Sequence, residues 1–287
     1  MRYQFIKEHS DEFCIRKMCR ILEVKKSGYY AWLKRPESAR AIENKRLLEE
    51  IRRVHKDGDK KSYGSPRIQK ELRHKGVKAG KNRIAGLMKQ NGIKAVNAKK
   101  YKPQGKTASD DLASPNLLEQ NFRMEKPNQA WVTDITYIQT RSGWVYLCTF
   151  MDLYSRKIVG WAVGKNPRTE LVLRALQMAV KNRKPAAGLI IHSDRGTQYS
   201  SWEYRNVLSG LKFRQSMSRR GNCWDNACME SFFHSLKYEY LYQFILNNCD
   251  DVDWYCFKYI DAFYNTRRLH SYLGYVSPAN FEFLIVA

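Results

Sequence analysis

Hydrophobic and polar positions follow two different rhythms along this chain, and the change of rhythm marks its organisation. Up to about residue 98 the spacing is helical. Leu47, Leu48, Ile51 and Val54 recur every three or four positions over residues 44–55. A second helix is predicted from Ser65, a suitable N-cap, with Pro66 at the first helical position and Gly76 at its stop. Ile68 and Leu72 give it an apolar face. A third, over residues 81–90, turns Ile84, Leu87 and Met88 inward, with Gly92 beyond its end. Shorter helices are expected around 14–24 and 28–34, where Tyr29, Tyr30 and Trp32 read as packing residues. From 99 to 125 the periodicity is lost among Pro103, Gly105, Ser109, Ser114, Pro115 and Asn116, the composition of a linker.

Beyond residue 128 the pattern reads strand, strand, strand, helix, strand, helix, strand, helix. Strands are predicted at 129–139, 143–151, 157–163, 189–193 and 213–217, and helices at 169–182, 201–210 and from about 226. Residues 250–266 carry Trp254, Tyr255, Phe257, Tyr259, Ile260, Phe263 and Tyr264, which suits a well-buried helix. The chain therefore divides into a helical segment (1–45), a helix-turn-helix-like domain (46–98), a linker (99–126) and an α/β domain with a helical extension (127–287).

Charge narrows the function. The net charge is +23, and residues 51–100 hold sixteen lysines and arginines against three acids, Asp57, Asp59 and Glu71. Such an excess implies a polyanionic partner, DNA above all. In a helix-turn-helix, the helix over 81–90 would present Lys81, Asn82, Arg83 and Lys89 outward. Arginine and asparagine read base edges, and lysine grips phosphates. No apolar run is long enough to cross a membrane, and no secretory signal is visible. Seven cysteines without paired spacing fit reduced thiols in a cytoplasmic protein.

The chemistry centres on 221–240, GNCWDNACMESFFHSLKYEY. Read as a continuous helix from about Asn226, residues three, four and seven apart share a face, so Asn226, Glu230, His234 and Lys237 form a polar stripe. Two carboxylates lie upstream. Asp134 sits inside the strand pattern AWVTDITYI, and Asp194 ends GLIIHSDRG, where an apolar run meets a turn. Aspartate is depleted in strands, and strand C-termini are common sites in α/β sheets. Asp152 in a hairpin and Asp225 as a helix N-cap read as structural.

Thirty-five residues separate Asp194 from Glu230. That spacing resembles the Asp, Asp, thirty-five, Glu triad of retroviral integrases and bacterial transposases. WVTDITYI, FMDLYSRKIVGW, IHSDRGTQYSS, SRRGNCWDNACMESFFHSLKYE and YNTRRLHSYLGYVSP together resemble transposases of the IS-three insertion-sequence family, specifically the product of the second reading frame. The likeness runs from about Cys19 to Phe281. It implies a ribonuclease-H-like integrase catalytic core, a mixed five-stranded sheet flanked by helices, behind an all-α helix-turn-helix-type region. It implies Asp134, Asp194 and Glu230 as the catalytic set, with Lys237 on a DNA phosphate. Contact with phosphates is also expected of Arg267, Arg268 and His270.

Three converging carboxylates repel one another unless a hard cation lies between them. Magnesium is expected, two ions per site, with manganese as a substitute, and Asn226 and His192 are expected to support the ligands. The implied reaction is DNA strand cleavage and strand transfer at the element's terminal inverted repeats and a target. Implied partners are a first-frame protein, often as a frameshift fusion, and further copies of the chain on DNA, near the bacterial nucleoid. Two alternatives are a nuclease of the same fold that does not join ends, and a non-catalytic DNA-binding relic or regulator.

Overall fold

The computed structural model describes residues 1–96, 114–219 and 223–286. Two compact units divide the chain, residues 1–51 and 52–287. In the first, α1 (Arg2–Glu8), α2 (Ile15–Ile21) and α3 (Lys26–Lys34) precede α4 (Ala39–Lys56), which runs across the boundary. Ile6, Met18, Cys19 and Tyr29 form the core of this unit, with Tyr3 and Trp32 packed against it. Helix α1 is not evident in the sequence, because Ile6 is the one buried residue in its seven.

The second unit opens with the end of α4, then α5 (Ser65–His74) and α6 (Lys81–Gln90). Helix α5 buries Ile68 and Leu72, and α6 buries Ile84, Leu87 and Met88, as the spacing predicts. Gly64 rather than Ser65 holds the cap position of α5, one residue before the expected start. Pro66 lies in the first turn, where its missing N–H has no helical partner to lose. Gly76 takes φ 81° just after α5, a left-handed conformation that a side chain would strain. The Gln69 amide donates to the Ala79 carbonyl (3.1 Å) and ties the turn between the two helices.

These helices are joined directly to the later part of the unit. The Leu269 N–H donates to the Tyr63 hydroxyl (2.9 Å), Arg67 lies 3.6 Å from Glu239, and Asp59 pairs with Arg267.

Five strands form the central sheet: β1 (Ala130–Thr140), β2 (Gly143–Asp152), β3 (Ile158–Gly164), β4 (Ile190–Ser193) and β5 (Arg214–Met217). Their order is β3-β2-β1-β4-β5. β1, β2 and β3 are antiparallel neighbours, whereas β4 lies parallel to β1 and β5 parallel to β4. The long β1 is thus the middle strand. One face carries α7 (Thr169–Arg183), α8 (Thr197–Ser200) and α9 (Trp202–Gly210) over a core that includes Trp131, Phe150, Leu176, Ile191 and Tyr204. Helix α7 comes so close to β3 that a methyl group on Gly160 would overlap the Ala175 carbonyl oxygen and lie 2.5 Å from the Ala179 nitrogen.

After β5 come α10 (Ala227–His234), a π-helical segment (Ser235–Tyr240), α11 (Cys249–Tyr259), a second π-helical turn (Ile260–Tyr264) and α12 (Pro278–Val286). Two expectations for 250–266 change here. Val252, Cys256, Tyr259, Ile260, Phe263 and Tyr264 are buried, but Trp254 and Phe257 are about half exposed. They lie on the outer side of α11, stacked on each other at 6.1 Å.

Most of the predicted linker, 97–113, lies outside the described residues. From Ser114 the chain is attached to the edge of β5. Ser114 donates to Gln215 (3.1 Å), Leu117 N–H to the Ser216 hydroxyl (2.8 Å), and Met217 N–H to the Pro115 carbonyl (3.3 Å). The polar composition that suggests a free linker instead supplies the groups that cover an open strand edge.

Candidate active site

Strand pairing runs up to the neighbourhood of the two aspartates. Val132 is opposite His192 in the parallel pairing of β1 and β4. The pairing ends there, two residues short of Asp134 on β1 and of Asp194 in the turn after β4. Asp134 is mid-strand, paired with Thr149 of β2. Asp194 follows the last residue of β4, and its carboxylate accepts from the Gly196 N–H (2.9 Å), which fixes the turn. Both carboxylates act on the same buried groups, the Cys148 thiol and the Tyr199 hydroxyl. Burial first, and then these charges, push both groups up, the thiol to about 12.

Beyond Val132 the β4 side of β1 is vacant of strand, and the start of α10 takes that place. The Asn226 side-chain amide donates to the Thr133 carbonyl (3.2 Å), the residue before Asp134. Eleven positions on, the Lys237 ammonium sits 4.8 Å over the Tyr137 ring of the same strand. The run from the cap of α10 to the π-helical segment after it therefore meets β1 at two points, and Glu230 lies between them in sequence. At about 1.5 Å per residue it stands about 6 Å along the helix from Asn226. Burial pushes the Glu230 carboxyl up from its ordinary value.

A further anchor holds α10 from the hairpin side. Arg156, in the β2–β3 turn with φ 59°, is 5% exposed. Its guanidinium donates to Cys228 Sγ (2.7 Å) and to the Phe122 carbonyl (2.8 Å) and stacks 4.2 Å from the Tyr272 ring. Sequence reasoning passed over this residue. The signal was an arginine in a turn between two apolar strands.

Among the described residues, no three carboxylate, imidazole or thiol groups stand close enough together to ligate one ion. Asp134 and Asp194 lie within electrostatic reach of the same two buried groups, and the helix of Glu230 starts against β1. The donor chemistry nevertheless suits a hard divalent cation, since carboxylate oxygens are its preferred ligands. Two buried oxygens near Asp134, Thr149 Oγ1 and Asn226 Oδ1, have no hydrogen-bond partner among the described residues. Such uncompensated acceptors are costly unless a cation or water meets them.

The remaining expected residues fall out differently. His192 is fully buried, with Nδ1 2.8 Å from the Ser216 hydroxyl and Nε2 3.1 Å from that of Ser218. Its hydrogen bonds brace β4 against the chain after it rather than reaching Asp194, and burial lowers its pKa to about 4. Asp225 does not cap α10. Asn226 holds that position without a side-chain capping bond. Asp225 instead gathers Arg219, Asn116 and Gln120, all within 3.1 Å. Burial alone would raise its pKa, but these donors, Arg219 foremost, hold it well below the carboxylate range. Asp152 is structural, as expected: it is fully buried and accepts from the N–H groups of Asn128 and Tyr154 and from Arg183.

The π-helical segment from Ser235 breaks the continuous stripe predicted over 226–237, because its wider turn rotates Lys237 away from a straight α-helical line through Glu230. Arg268 and His270 are not placed to meet DNA. Arg268 is 3% exposed and bonded to Glu239 (2.8 Å). His270 is driven down to about 3, by burial first and then by Arg268, Arg156 and Arg67.

In the second region of interest, α6, Lys81, Asn82 and Lys89 are exposed and Arg83 is half-buried.

Two integrase core domain families match residues 124–223 and 211–278, and an HTH-like domain family matches residues 42–101. The transposase InsF for insertion sequence IS3A of Escherichia coli (strain K12) is 39% identical over 283 residues, covering 98% of both chains. An insertion element IS600 uncharacterized 31 kDa protein of Shigella sonnei is 41% identical over 265 residues, covering 92% of this chain and 97% of its own. A simian T-cell lymphotropic virus intasome aligns over 75% of this chain and 70% of that chain, at 16% identity and a TM-score of 0.47. On this evidence of sequence, carried over nearly the whole length, the chain belongs to the IS3 family of insertion-sequence transposases.

Proposed function

We propose that Asp134, Asp194 and Glu230 are the catalytic carboxylates of this transposase, and that they cut and join DNA at the ends of its insertion sequence. The observation that carries the reading is that Asp134 and Asp194 follow the paired ends of β1 and β4 and act on the same two buried groups, beside a helical run that meets β1 at Asn226 and Lys237. The enzyme is a DNA transposase, a polynucleotidyl transferase. Neither a nuclease that cannot join nor a non-catalytic relic is favoured by its relatives.

The three carboxylates would hold divalent magnesium, two ions per site, with manganese able to replace it. Such ions polarise the phosphoryl oxygens and lower the pKa of a bound water. In the first step water attacks a terminal phosphodiester, the new P–O bond forms, and the 3′ oxygen leaves to give a free 3′ hydroxyl. In the second, that hydroxyl attacks a target phosphodiester, and the displaced target oxygen leaves. The protein need form no covalent bond to DNA. Lys237 sits where it could hold a non-bridging phosphate oxygen. Asn226 keeps the helix of Glu230 against β1, and His192 keeps β4 in place behind Asp194.

DNA binding follows from the helix-turn-helix-like domain and the charge. We assign recognition of the inverted repeats to residues 46–98, with Lys81, Asn82, Arg83 and Lys89 facing the duplex, and chemistry to 127–287, residues 99–126 joining them. A first-frame partner, often fused by frameshifting, and assembly of several copies on DNA complete the proposed complex. No helix among the described residues is long and apolar enough to cross a membrane; we place the enzyme in the bacterial cytoplasm, on the nucleoid.

The test is a labelled DNA bearing the element's own end, incubated with the chain, its first-frame partner and magnesium. Joined products support the transposase chemistry. Nicked ends that accumulate and never join would point to the nuclease instead.

A further inference from the structure

The same two elements that carry Asp134 and Glu230 continue into a patch of exposed aromatic rings. Tyr137, three residues after Asp134, is 47% exposed, and Trp144, across the β1–β2 hairpin, is 51% exposed. Their rings meet edge to face at 5.2 Å. Lys237 places its ammonium over the Tyr137 ring. From the helix side, Tyr238 lies 5.3 Å from Tyr242, which is 48% exposed. Lys237, the residue before Tyr238, joins the two sides through its contact with the Tyr137 ring.

The patch is rigid. The Arg141 N–H donates to the Leu246 carbonyl (2.9 Å) and the Ser142 N–H to the Asn247 carbonyl (3.0 Å), which ties the hairpin end to the segment after Tyr242. His234 borders it, 4.9 Å from Tyr238, with a buried Nδ1 that has no hydrogen-bond partner among the described residues.

Half-exposed aromatic rings interleaved with a cation are the chemistry of a base-stacking platform for single-stranded nucleic acid. The chain's charge of +23 favours a polyanion over an acidic or apolar protein surface as the occupant. Lys237 over Tyr137 joins it to the helical run that carries Glu230, and Tyr137 lies on the strand that carries Asp134.

We propose that Tyr137, Trp144 and Tyr242 stack the unpaired bases of the DNA strand next to the reacting phosphodiester, while Lys237 holds the adjoining phosphate. This rests on the assignment of Asp134, Asp194 and Glu230 as the catalytic set. Unpaired end bases would then be captured outside the duplex, which frees the terminal phosphodiester to enter the site.

The test separates the two readings by measuring binding without chemistry. The full-length chain with all carboxylates intact is mixed, in EDTA, with element-end DNA carrying 2-aminopurine at its terminal positions, either fully paired or with those positions unpaired. Stacking predicts quenched fluorescence and tighter binding of the unpaired end. A Trp144→Ala, Tyr242→Ala double variant should lose about fivefold or more of that preference, and Trp144→Phe should keep it. Unquenched fluorescence on the wild-type chain, or equal affinity for paired and unpaired ends, would overturn the platform. Failure of the carboxylate assignment would show only in cleavage assays and leave these binding results as they are.

Discussion

Removing the Glu239 carboxylate should damage the fold far more than its place on the helix after Glu230 suggests. Arg268 is 3% exposed and donates to Glu239 at 2.8 Å, and Arg67 approaches the same carboxylate at 3.6 Å. Burial would raise the Glu239 pKa, but Arg268 and Arg67 more than offset it and hold the carboxyl below its ordinary value. Glu239→Ala leaves two guanidinium groups facing each other with no counter-charge. Breaking a buried pair in this way costs about 3–5 kcal/mol. For a folded unit of this size, each kcal/mol moves Tm by about 2–4 °C, so the loss should lower Tm by roughly 6–20 °C.

The double variant Glu239→Leu, Arg268→Met should recover part of that loss, because it removes the charges together. Thermal unfolding of the wild type, both single variants and the double variant reads the coupling directly. The pair's contribution is present above the unfolded carboxylate value, about 4.3, and is lost as pH falls below it. A Tm unchanged in Glu239→Ala, or single losses that simply add in the double variant, would refute the buried pair and reopen a role for Arg268 on DNA.

Three further outcomes are expected. Gly160→Ala should destabilise by about 3 kcal/mol in chemical denaturation, because the added methyl meets α7 backbone atoms that cannot step aside. His270 stays neutral in the fold down to about pH 3 but titrates near 6.5 once unfolded. Between those values the unfolded chain takes up the proton, so stability falls by about 1.4 kcal/mol per unit as pH drops, and His270→Asn should flatten that slope. Lys81→Ala with Lys89→Ala should weaken DNA binding and reduce its dependence on log salt by up to about two units, read by affinity titration at several salt concentrations.

What could be read from the sequence follows from how local its causes are. Helix α6 begins and ends at the predicted residues, and the strands lie within about one residue of expectation, because apolar spacing and flanking glycines act over short range. Asp134 in mid-strand and Asp194 just past a strand end were legible as positions, the first because it breaks the rule against aspartate in strands and the second because an apolar run stops there. The features that eluded sequence reading depend on contacts between distant segments. Nothing near Arg268 names Glu239 as its partner, and nothing near Asp225 names Asn116 and Gln120. Periodicity cannot separate Trp254 and Phe257, which face outward, from the buried rings beside them. The π-helical turn that displaces Lys237 is invisible to a count of 3.6 residues per turn.

The assignment of the three carboxylates meets its most direct test in one comparison of rates. Glu230→Gln keeps the side-chain volume and removes the charge. Magnesium-dependent nicking and joining of the element's own end, with the first-frame partner present, should fall nearly to background in this variant while DNA binding persists. Groups that act as a unit are strongly non-additive, so a triple Asp134→Asn, Asp194→Asn, Glu230→Gln variant should be little worse. Wild-type nicking and joining by Glu230→Gln would contradict the account.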